Sequence, residues 1–128
     1  MIVNIEHLLP FVEKPSRYID HEINACRKDF SAYPVHFAFA FPDTYELGIS
    51  HLGIKILYSI INQLDYAMAD RIYLPWIDLI KLMREEELNL FGWESRREIK
   101  DFDILGITLQ SELNYTNVLE IIDLSGID

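Results

Sequence analysis

The residue types best suited to chemistry lie together in one short segment of the sequence. Residues 42–53 contain two carboxylates, Asp43 and Glu46, with a phenol, a histidine and two glycines, and they follow the apolar stretch Val35–Phe41. This pattern is typical of a buried strand, a polar turn and the start of a helix. Ligands of open α/β folds bind outside the carboxyl ends of strands, where such a turn would lie. The sequence therefore predicts a ligand site here, without identifying the ligand.

A second polar stretch follows the third apolar segment and would lie at the same edge of a parallel sheet. We therefore expect binding residues on both turns. The candidates are Asp43, Thr44, Tyr45, Glu46, Gly48, Ser50, Thr108, Gln110 and Ser111. Structural roles are the alternative, because Asp43 or Ser50 could cap a helix, Gly48 could allow close packing, and the second turn could cap the last helix.

The sequence predicts no catalytic residue and no metal-ligand set. His7 and His21 lack the spacing of metal ligands, and His36 lies within an expected strand. No Ser–His–Asp grouping, phosphate loop or Cys-x-x-Cys pair is present. Asp43 and Glu46 could form a carboxylate pair, but sequence spacing alone supports no reaction.

Composition narrows the functional classes. The chain has 128 residues, 50% of them hydrophobic, and a formal net charge of −10. It is long enough for one domain with a real core, and it lacks the basic stripe that binds nucleic acids or anionic membrane surfaces. Cys26 is the single cysteine, so we expect no internal disulfide and take the cytoplasm as the default location. No apolar run is long enough to cross a bilayer.

Hydrophobic patterns predict strands that alternate with helices, which implies a parallel sheet in an α/β fold. The strands are expected at 35–41, 67–74 and 103–109. The helices are expected at 50–64, from Pro75 onward and from Asn114 onward. Ser50 and Asn114 are plausible N-caps. The apolar positions predict the buried helix faces as Leu52, Ile56, Leu57, Ile60, Ile61 and Leu64, then Trp76, Leu79, Ile80 and Met83, then Tyr115, Val118, Leu119 and Ile122.

The chain divides into an N-terminal lead-in, residues 1–34, and an α/β region, residues 35–128. Within the lead-in we expect a short helix in residues 3–12 and an extended segment at 14–18. Doubly wound domains usually have five or more strands, so the α/β region is expected to be a piece of a larger domain. Its third strand would then keep an unpaired edge, which predicts a homodimer through residues 103–109.

Several phrases of the sequence together resemble one protein family. The phrases are Glu13–Tyr18, Phe41–Gly53, Ile56–Tyr58, Pro75–Trp76, Glu94–Arg97, Asp101–Gly106 and Glu112–Leu119. They resemble the N-terminal part of bacterial radical SAM proteins often labelled Fe–S oxidoreductases, and the resemblance runs from about residue 8 to the end of the chain.

The resemblance implies a truncated flavodoxin-like domain of the cobalamin-binding type, a three-layer α/β fold with strand order 2-1-3. The turns after the first and third strands would then be neighbours. It also implies that a radical SAM domain follows in the same polypeptide, where three cysteines hold a [4Fe–4S] cluster that binds S-adenosylmethionine. With Cys26 alone, this chain cannot hold the cluster and is not expected to be catalytic by itself.

The resemblance also makes cobalamin a candidate cofactor. In related cobalamin domains Asp-x-His-x-x-Gly follows the first strand, and its histidine binds cobalt. The matching stretch here runs from Asp43 to Gly48 with Tyr45 at the histidine position, and a neutral phenol is a poor cobalt ligand. Cobalamin without a protein ligand on cobalt stays open, and His51 is an offset substitute ligand. The turn at 108–111 corresponds to the loop that contacts the corrin or its tail.

Two functions follow from these patterns. The first is a cobalamin-binding-like domain of a radical SAM enzyme, serving ligand binding or substrate cover. The second is a cofactor-free protein-interaction module with the same fold, which Tyr45 favours. A phosphoacceptor receiver domain shares the topology but needs an aspartate at the end of the third strand, where this sequence has Ile107–Gln110.

Overall fold

The sheet of this protein consists, among the described residues, of three parallel strands in the order β2-β1-β3. A computed structural model describes residues 1–20 and 22–128, so the interpretation of His21 lies outside the described residues. The strands are β1 (Val35–Phe41), β2 (Ala67–Tyr73) and β3 (Ile104–Ile107). This order, with helices flanking the sheet, confirms the flavodoxin-like α/β prediction.

The helices alternate with the strands, as the sequence predicted. They are α1 (Tyr45–Gly48), α2 (Leu52–Asn62), α3 (Ile77–Glu85) and α4 (Tyr115–Leu124). Short 3-10 helices lie at Glu6–Phe11, Pro15–Tyr18, Phe30–Ala32, Ile99–Asp101 and Glu112–Asn114. Within the described part of the chain, no helix has the length and apolar character needed to cross a membrane.

The central strand β1 is buried on both faces because its phenylalanines and alanines alternate. Phe39 packs on the side of α2, against the cluster that contains Ile54. Ala38 packs on the opposite side, in the cluster that contains Ile121 of α4. Small residues on one face and large residues on the other therefore set how far each helix lies from the sheet.

The lead-in forms part of the core, although its described residues, 1–20 and 22–34, contribute no strand to the sheet. Val3, Leu8 and Tyr18 are buried in the same cluster as the α2 side of β1. The backbone N–H of Val3 donates to the carbonyl of Arg96 at 2.7 Å. The indole N–H of Trp93 donates to the carbonyl of the lead-in residue Arg17 at 3.0 Å. Contacts with residues 93 and 76 positions later in the sequence thus hold the lead-in.

The expectation of an extended segment at residues 14–18 was wrong. Pro15–Tyr18 is a 3-10 helix with Pro15 in its first turn, a position that suits the fixed backbone angle of proline. The restriction that proline imposes acts only on the residue before it, Lys14. Glu6–Phe11 is also a 3-10 helix, with Pro10 inside it.

The predicted buried face of α2 was largely wrong. Ile54 and Tyr58 face the sheet, whereas Leu52, Ile56 and Ile60 are exposed. The helix carries apolar residues around much of its circumference, so periodicity alone does not select the side that packs. Its N-cap is not Ser50, because the ring of His51 accepts the N–H of Ile54.

A similar shift occurs in α4. Ile121 and Leu124 are buried, whereas the predicted Tyr115, Leu119 and Ile122 are exposed. In α3 the predicted Leu79 and Met83 are buried, but the helix begins at Ile77 and leaves Trp76 partly exposed as its N-cap.

Strand β3 is shorter than predicted and lies at an edge of the sheet. Its residues pair only with β1, from Phe37↔Ile104 to Ala40↔Ile107. Among residues 1–20 and 22–128, no strand pairs with its outer edge. This leaves the backbone groups of that edge open to another strand.

Candidate functional site

The turn between β1 and α2 is held by hydrogen bonds to its backbone groups from the Asp43 side chain, Leu74 and Asn117. The Asp43 carboxylate accepts the N–H of Thr44 at 2.8 Å, and the Asp43 carbonyl accepts the N–H of Leu74 at 2.9 Å. The Asn117 side chain of α4 donates to the Pro42 carbonyl at 2.9 Å. Thr44 is buried at the N-cap position of α1. Asp43 and Thr44 therefore have structural partners in this turn.

Tyr45 points away from the junction between β1 and β3. Its ring packs edge-on against Tyr73 of β2, with centroids 5.3 Å apart, and lies parallel to Trp93. Its hydroxyl donates to the Glu22 carboxylate at 2.5 Å. Burial and, after it, this hydrogen bond raise the pKa of Tyr45 well above the ordinary value of 10.0. The phenol is thus a neutral donor committed to Glu22.

The remaining candidates on this turn also have structural partners. Glu46 forms an ion pair with Arg17 at 2.6 Å, and the Ser50 hydroxyl donates to the Leu47 carbonyl at 3.3 Å. A side chain at Gly48 would collide with the rings of Tyr73 and Phe41. The close approach of α1 to the sheet therefore requires glycine at position 48.

The turn after β3 does meet the turn after β1, through His51. The His51 Nε2 atom lies 3.0 Å from the side-chain amide of Gln110, which also contacts the Thr108 hydroxyl. Nδ1 accepts the N–H of Ile54 at 3.2 Å, and the atom of Gln110 that faces Nε2 is the nitrogen of its side-chain amide. Both ring nitrogens of His51 are therefore engaged. Gln110 and Ser111 are exposed.

The charged groups with the deepest burial lie elsewhere, beside β2. We call Glu22, Asp70, Arg71 and Glu94 the Arg71 cluster. Arg71 Nε donates to Glu94 at 2.8 Å, Nη2 also contacts Glu94, and Nη1 donates to Glu22 at 2.6 Å. Asp70 accepts the backbone N–H groups of Glu94 and Ser95 at 2.9 and 2.8 Å. These hydrogen bonds hold the segment after Phe91 against β2.

Burial dominates the electrostatics of this cluster. Burial is the largest influence and alone would lower the pKa of Arg71, but the charge of Glu94, the coulombic effect of Tyr73 and the hydrogen bonds to Glu94 and Glu22 together outweigh it, so the pKa is raised. Burial raises the pKa of Glu94 well above its ordinary value, and the charge of Asp70 raises it further. Arg71 therefore stays charged, with only 4% of its side chain exposed.

Sequence reasoning missed this cluster, although a signal was present. Asp70 and Arg71 are adjacent in an otherwise apolar strand, and fully buried charges are rare unless they are paired. Their partners are 23 and 49 positions from Arg71, so spacing could not name them.

A cavity of about 630 Å³ lies beside the Arg71 cluster, between α2 and the lead-in. Its lining includes Glu22, Cys26, Lys55, Tyr58, Asn62 and Arg71. The Tyr58 hydroxyl accepts the backbone N–H of Cys26 at 2.6 Å, which ties the lead-in to α2. Among residues 1–20 and 22–128, no group of three or more histidine, cysteine or acidic side chains is placed to hold a metal ion.

The parallel sheet in the order β2-β1-β3 and the turns at its carboxyl edge define a flavodoxin-like α/β domain. Residues 53–128 match the family model described as radical SAM proteins, N-terminal. The match covers more than half of the chain, which therefore belongs to this family, as its sequence resemblance implied. No curated protein matches the chain, and no solved structure does.

Membership implies a [4Fe–4S] cluster and S-adenosylmethionine in the full protein. The residues of this chain do not fit the cluster, because three thiolates are needed and Cys26 is the single cysteine. They also do not fit a cobalamin bound through a side chain on cobalt. Tyr45 is engaged with Glu22, and both nitrogens of His51 have partners.

Proposed function

We propose that this domain is a cofactor-free docking domain that covers the radical SAM domain of the same polypeptide. The observation that carries the proposal is an exposed apolar surface on the α2 side of the sheet. We call it the α2–β3 face and define it by Ile56, Leu57 and Ile60 of α2 with Ile104 of β3. Their exposed fractions range from 44% to 51%.

The residues of the α2–β3 face all lie on the same side of the sheet. Residues 56, 57 and 60 share one stripe of α2, on the flank opposite Lys55, Ser59 and Asn62, which line the cavity. Ile104 is aligned with Phe37 in the parallel ladder, so both side chains project on the α2 side. Contiguous exposed apolar patches of this kind mark interaction sites.

Family membership supports the choice of partner. The family is defined as the N-terminal part of radical SAM proteins, so the radical SAM domain is the partner that a shared polypeptide would keep close. Covalent linkage gives such a partner a high effective concentration, which favours it over partners in solution.

Binding between this chain and the separately produced radical SAM domain of the same polypeptide tests the proposal. We expect co-elution and a calorimetric signal, and we expect Ile56→Asp with Ile60→Asp to abolish both. Leu119→Asp is the matched control, because Leu119 is an exposed leucine on α4, on the other side of the sheet. Absence of binding, or equal loss in the control, would overturn the docking function.

Addition of hydroxocobalamin to the purified protein distinguishes docking without a cofactor from the alternative function, cobalamin binding. A cofactor-free docking domain leaves the corrin absorption spectrum unchanged and does not co-elute with the cofactor. A changed spectrum with co-elution would replace docking by cobalamin binding. A gene that encodes no three-cysteine cluster motif with this domain would contradict both functions.

A further inference from the structure

We propose that the cavity beside the Arg71 cluster binds a small carboxylate, which takes the place of the Glu22 carboxylate on Arg71 and Tyr45. This inference concerns the other flank of α2 and does not depend on the docking function.

Two donors converge on the position of the Glu22 carboxylate. Arg71 Nη1 donates to one oxygen at 2.6 Å, and the Tyr45 hydroxyl donates to the other at 2.5 Å. One donor on each oxygen is the arrangement that binds a planar carboxylate well. The site is thus already shaped for this group.

Neither donor depends on Glu22 for its position. Glu94 holds Arg71 through Nε and Nη2, and the Tyr58 ring lies 5.0 Å from the guanidinium carbon. Tyr45 is held between Tyr73 and Trp93. Removing the Glu22 carboxylate would therefore leave two preorganised donors facing one point.

Glu22 is the most replaceable member of the cluster. Its side chain is 23% exposed, compared with 4% for both Arg71 and Glu94. Ile23, the next residue, is 99% exposed at the rim of the cavity. The Ala25 N–H donates to the Glu22 backbone carbonyl at 3.3 Å, which leaves the Glu22 side chain free of that turn. The segment is bound to α2 at Cys26 through the Tyr58 hydroxyl. Glu22 could therefore turn into solvent while Cys26 keeps its place.

The cavity has the size and lining of a small-molecule site. Its volume of about 630 Å³ lies within the usual range for ligand pockets. Ile49 and Tyr58 provide apolar surface, and Asn62 and Lys55 provide polar groups. The exchange is also neutral in charge, because one carboxylate replaces another beside Arg71. This matters in a chain of net charge −10, which otherwise repels anions.

Titration of the isotopically labelled full chain with sodium acetate, at constant ionic strength set with sodium chloride, tests the inference. We expect saturable shifts of the Arg71 Nε–H signal and of the Ile23–Cys26 amides in the unaltered protein. Glu22→Ala should bind acetate about tenfold more tightly, because the internal competitor no longer occupies the site. Tyr45→Phe should weaken binding severalfold, because one donor is lost.

The matched control is Glu46→Ala, which removes a carboxylate paired with Arg17 outside the cavity and should leave acetate affinity unchanged. Acetate binding to Glu22→Ala without binding to the unaltered protein would overturn the inference, since acetate would then only fill a hole left by a structural residue. No binding to either protein would overturn it too. If Glu22→Ala does not fold, Glu22→Gln provides the same comparison with nearly the same shape.

Discussion

The ring of Tyr45 lies parallel to the indole of Trp93, with 4° between the planes and 6.5 Å between the centroids. This relationship keeps the middle of the turn Asp43–Gly48 on the β2 side of the molecule. The opposite side of the turn meets Gln110 through His51. The aromatic packing therefore accounts for a tyrosine at the position where the Asp-x-His-x-x-Gly motif of cobalamin domains has its histidine.

Tyr45→His is not expected to create a cobalt ligand. The imidazole would lie between Tyr73 and Trp93, and the free energy of unfolding should fall by about 1–2 kcal/mol because ring contacts and the bond to Glu22 are lost. Urea unfolding measures the loss, and the hydroxocobalamin spectrum should stay unchanged. Tyr66→His, at an exposed tyrosine, should change neither quantity. A spectrum of histidine-bound cobalamin from the first variant alone would contradict the prediction.

Gly48→Ala should lower the free energy of unfolding far more than Gly53→Ala. At position 48 the new methyl group meets the rings of Tyr73 and Phe41, and we expect a loss of about 1–3 kcal/mol in unfolding free energy from overpacking. At position 53 it would lie 3.0 Å from the His51 ring that caps α2, so the gain of up to about 1 kcal/mol that alanine gives a helix is offset by a small shift of that ring. Thermal and urea unfolding compare the two. Equal effects would show that position 48 is not tightly packed.

His51→Ala should destabilise the protein, whereas Ser50→Ala should have little effect. The His51 ring caps α2 through the N–H of Ile54, and loss of an N-cap costs about 1 kcal/mol. His51→Asn should recover most of that loss, because asparagine is a good N-cap. Urea unfolding of the three variants measures the differences. If Ser50→Ala lowered the free energy of unfolding more than His51→Ala, Ser50 would be the N-cap of α2, as the sequence predicted.

The protein should lose stability in alkaline solution through its buried tyrosines. Burial raises the pKa of Tyr18, Tyr45, Tyr58 and Tyr73, and that of Tyr73 reaches about 12. Above pH 10, unfolded chains lose phenolic protons that the folded state retains, so the free energy of unfolding falls as the pH rises.

Phenolate absorbance measures this effect directly. Four tyrosines should ionise late in the folded protein, and the same groups in urea should ionise near the ordinary value of 10.0. A single early transition in the folded protein, with unfolding free energy independent of pH, would contradict the burial of these rings.

The outer edge of β3 should support a homodimer when the domain is studied alone. Its backbone groups have no strand partner among the described residues, and open edges pair with other strands. Light scattering should show a dimer at high concentration. Ile104→Lys should reduce the dimer, since edge lysines block pairing, and Leu119→Lys on α4 should not. A monomer at all concentrations would contradict the expectation.

Local patterns predicted the strands well, because successive side chains of a strand point to opposite faces of the sheet and a short stretch of sequence shows which faces are apolar. The bounds of β1 agree with prediction, since alternating phenylalanine and alanine suit a strand covered on both faces. The strand order agrees with the order that the family resemblance implied.

The helix faces and the Arg71 cluster depend on contacts between distant residues. The apolar residues of α2 exceed what one face can bury, so the sequence could not show that Ile54 would face the sheet and Ile60 would not. Glu22 reaches Arg71 across 49 positions, which no spacing pattern encodes. The sequence shows that Tyr45 departs from the cobalamin motif, but the packing of its ring against Trp93 depends on a residue 48 positions away.

The hydrogen bonds between the lead-in and residues 91–98 have a consequence for synthesis of the protein. Val3 bonds to Arg96 and Arg17 accepts the indole N–H of Trp93, so the lead-in can find these partners only after residues 93–96 have left the ribosome. Contacts of such long sequence separation slow folding. Val3, Leu8 and Tyr18 stay exposed during this interval, and chaperones that bind apolar segments would meet the lead-in.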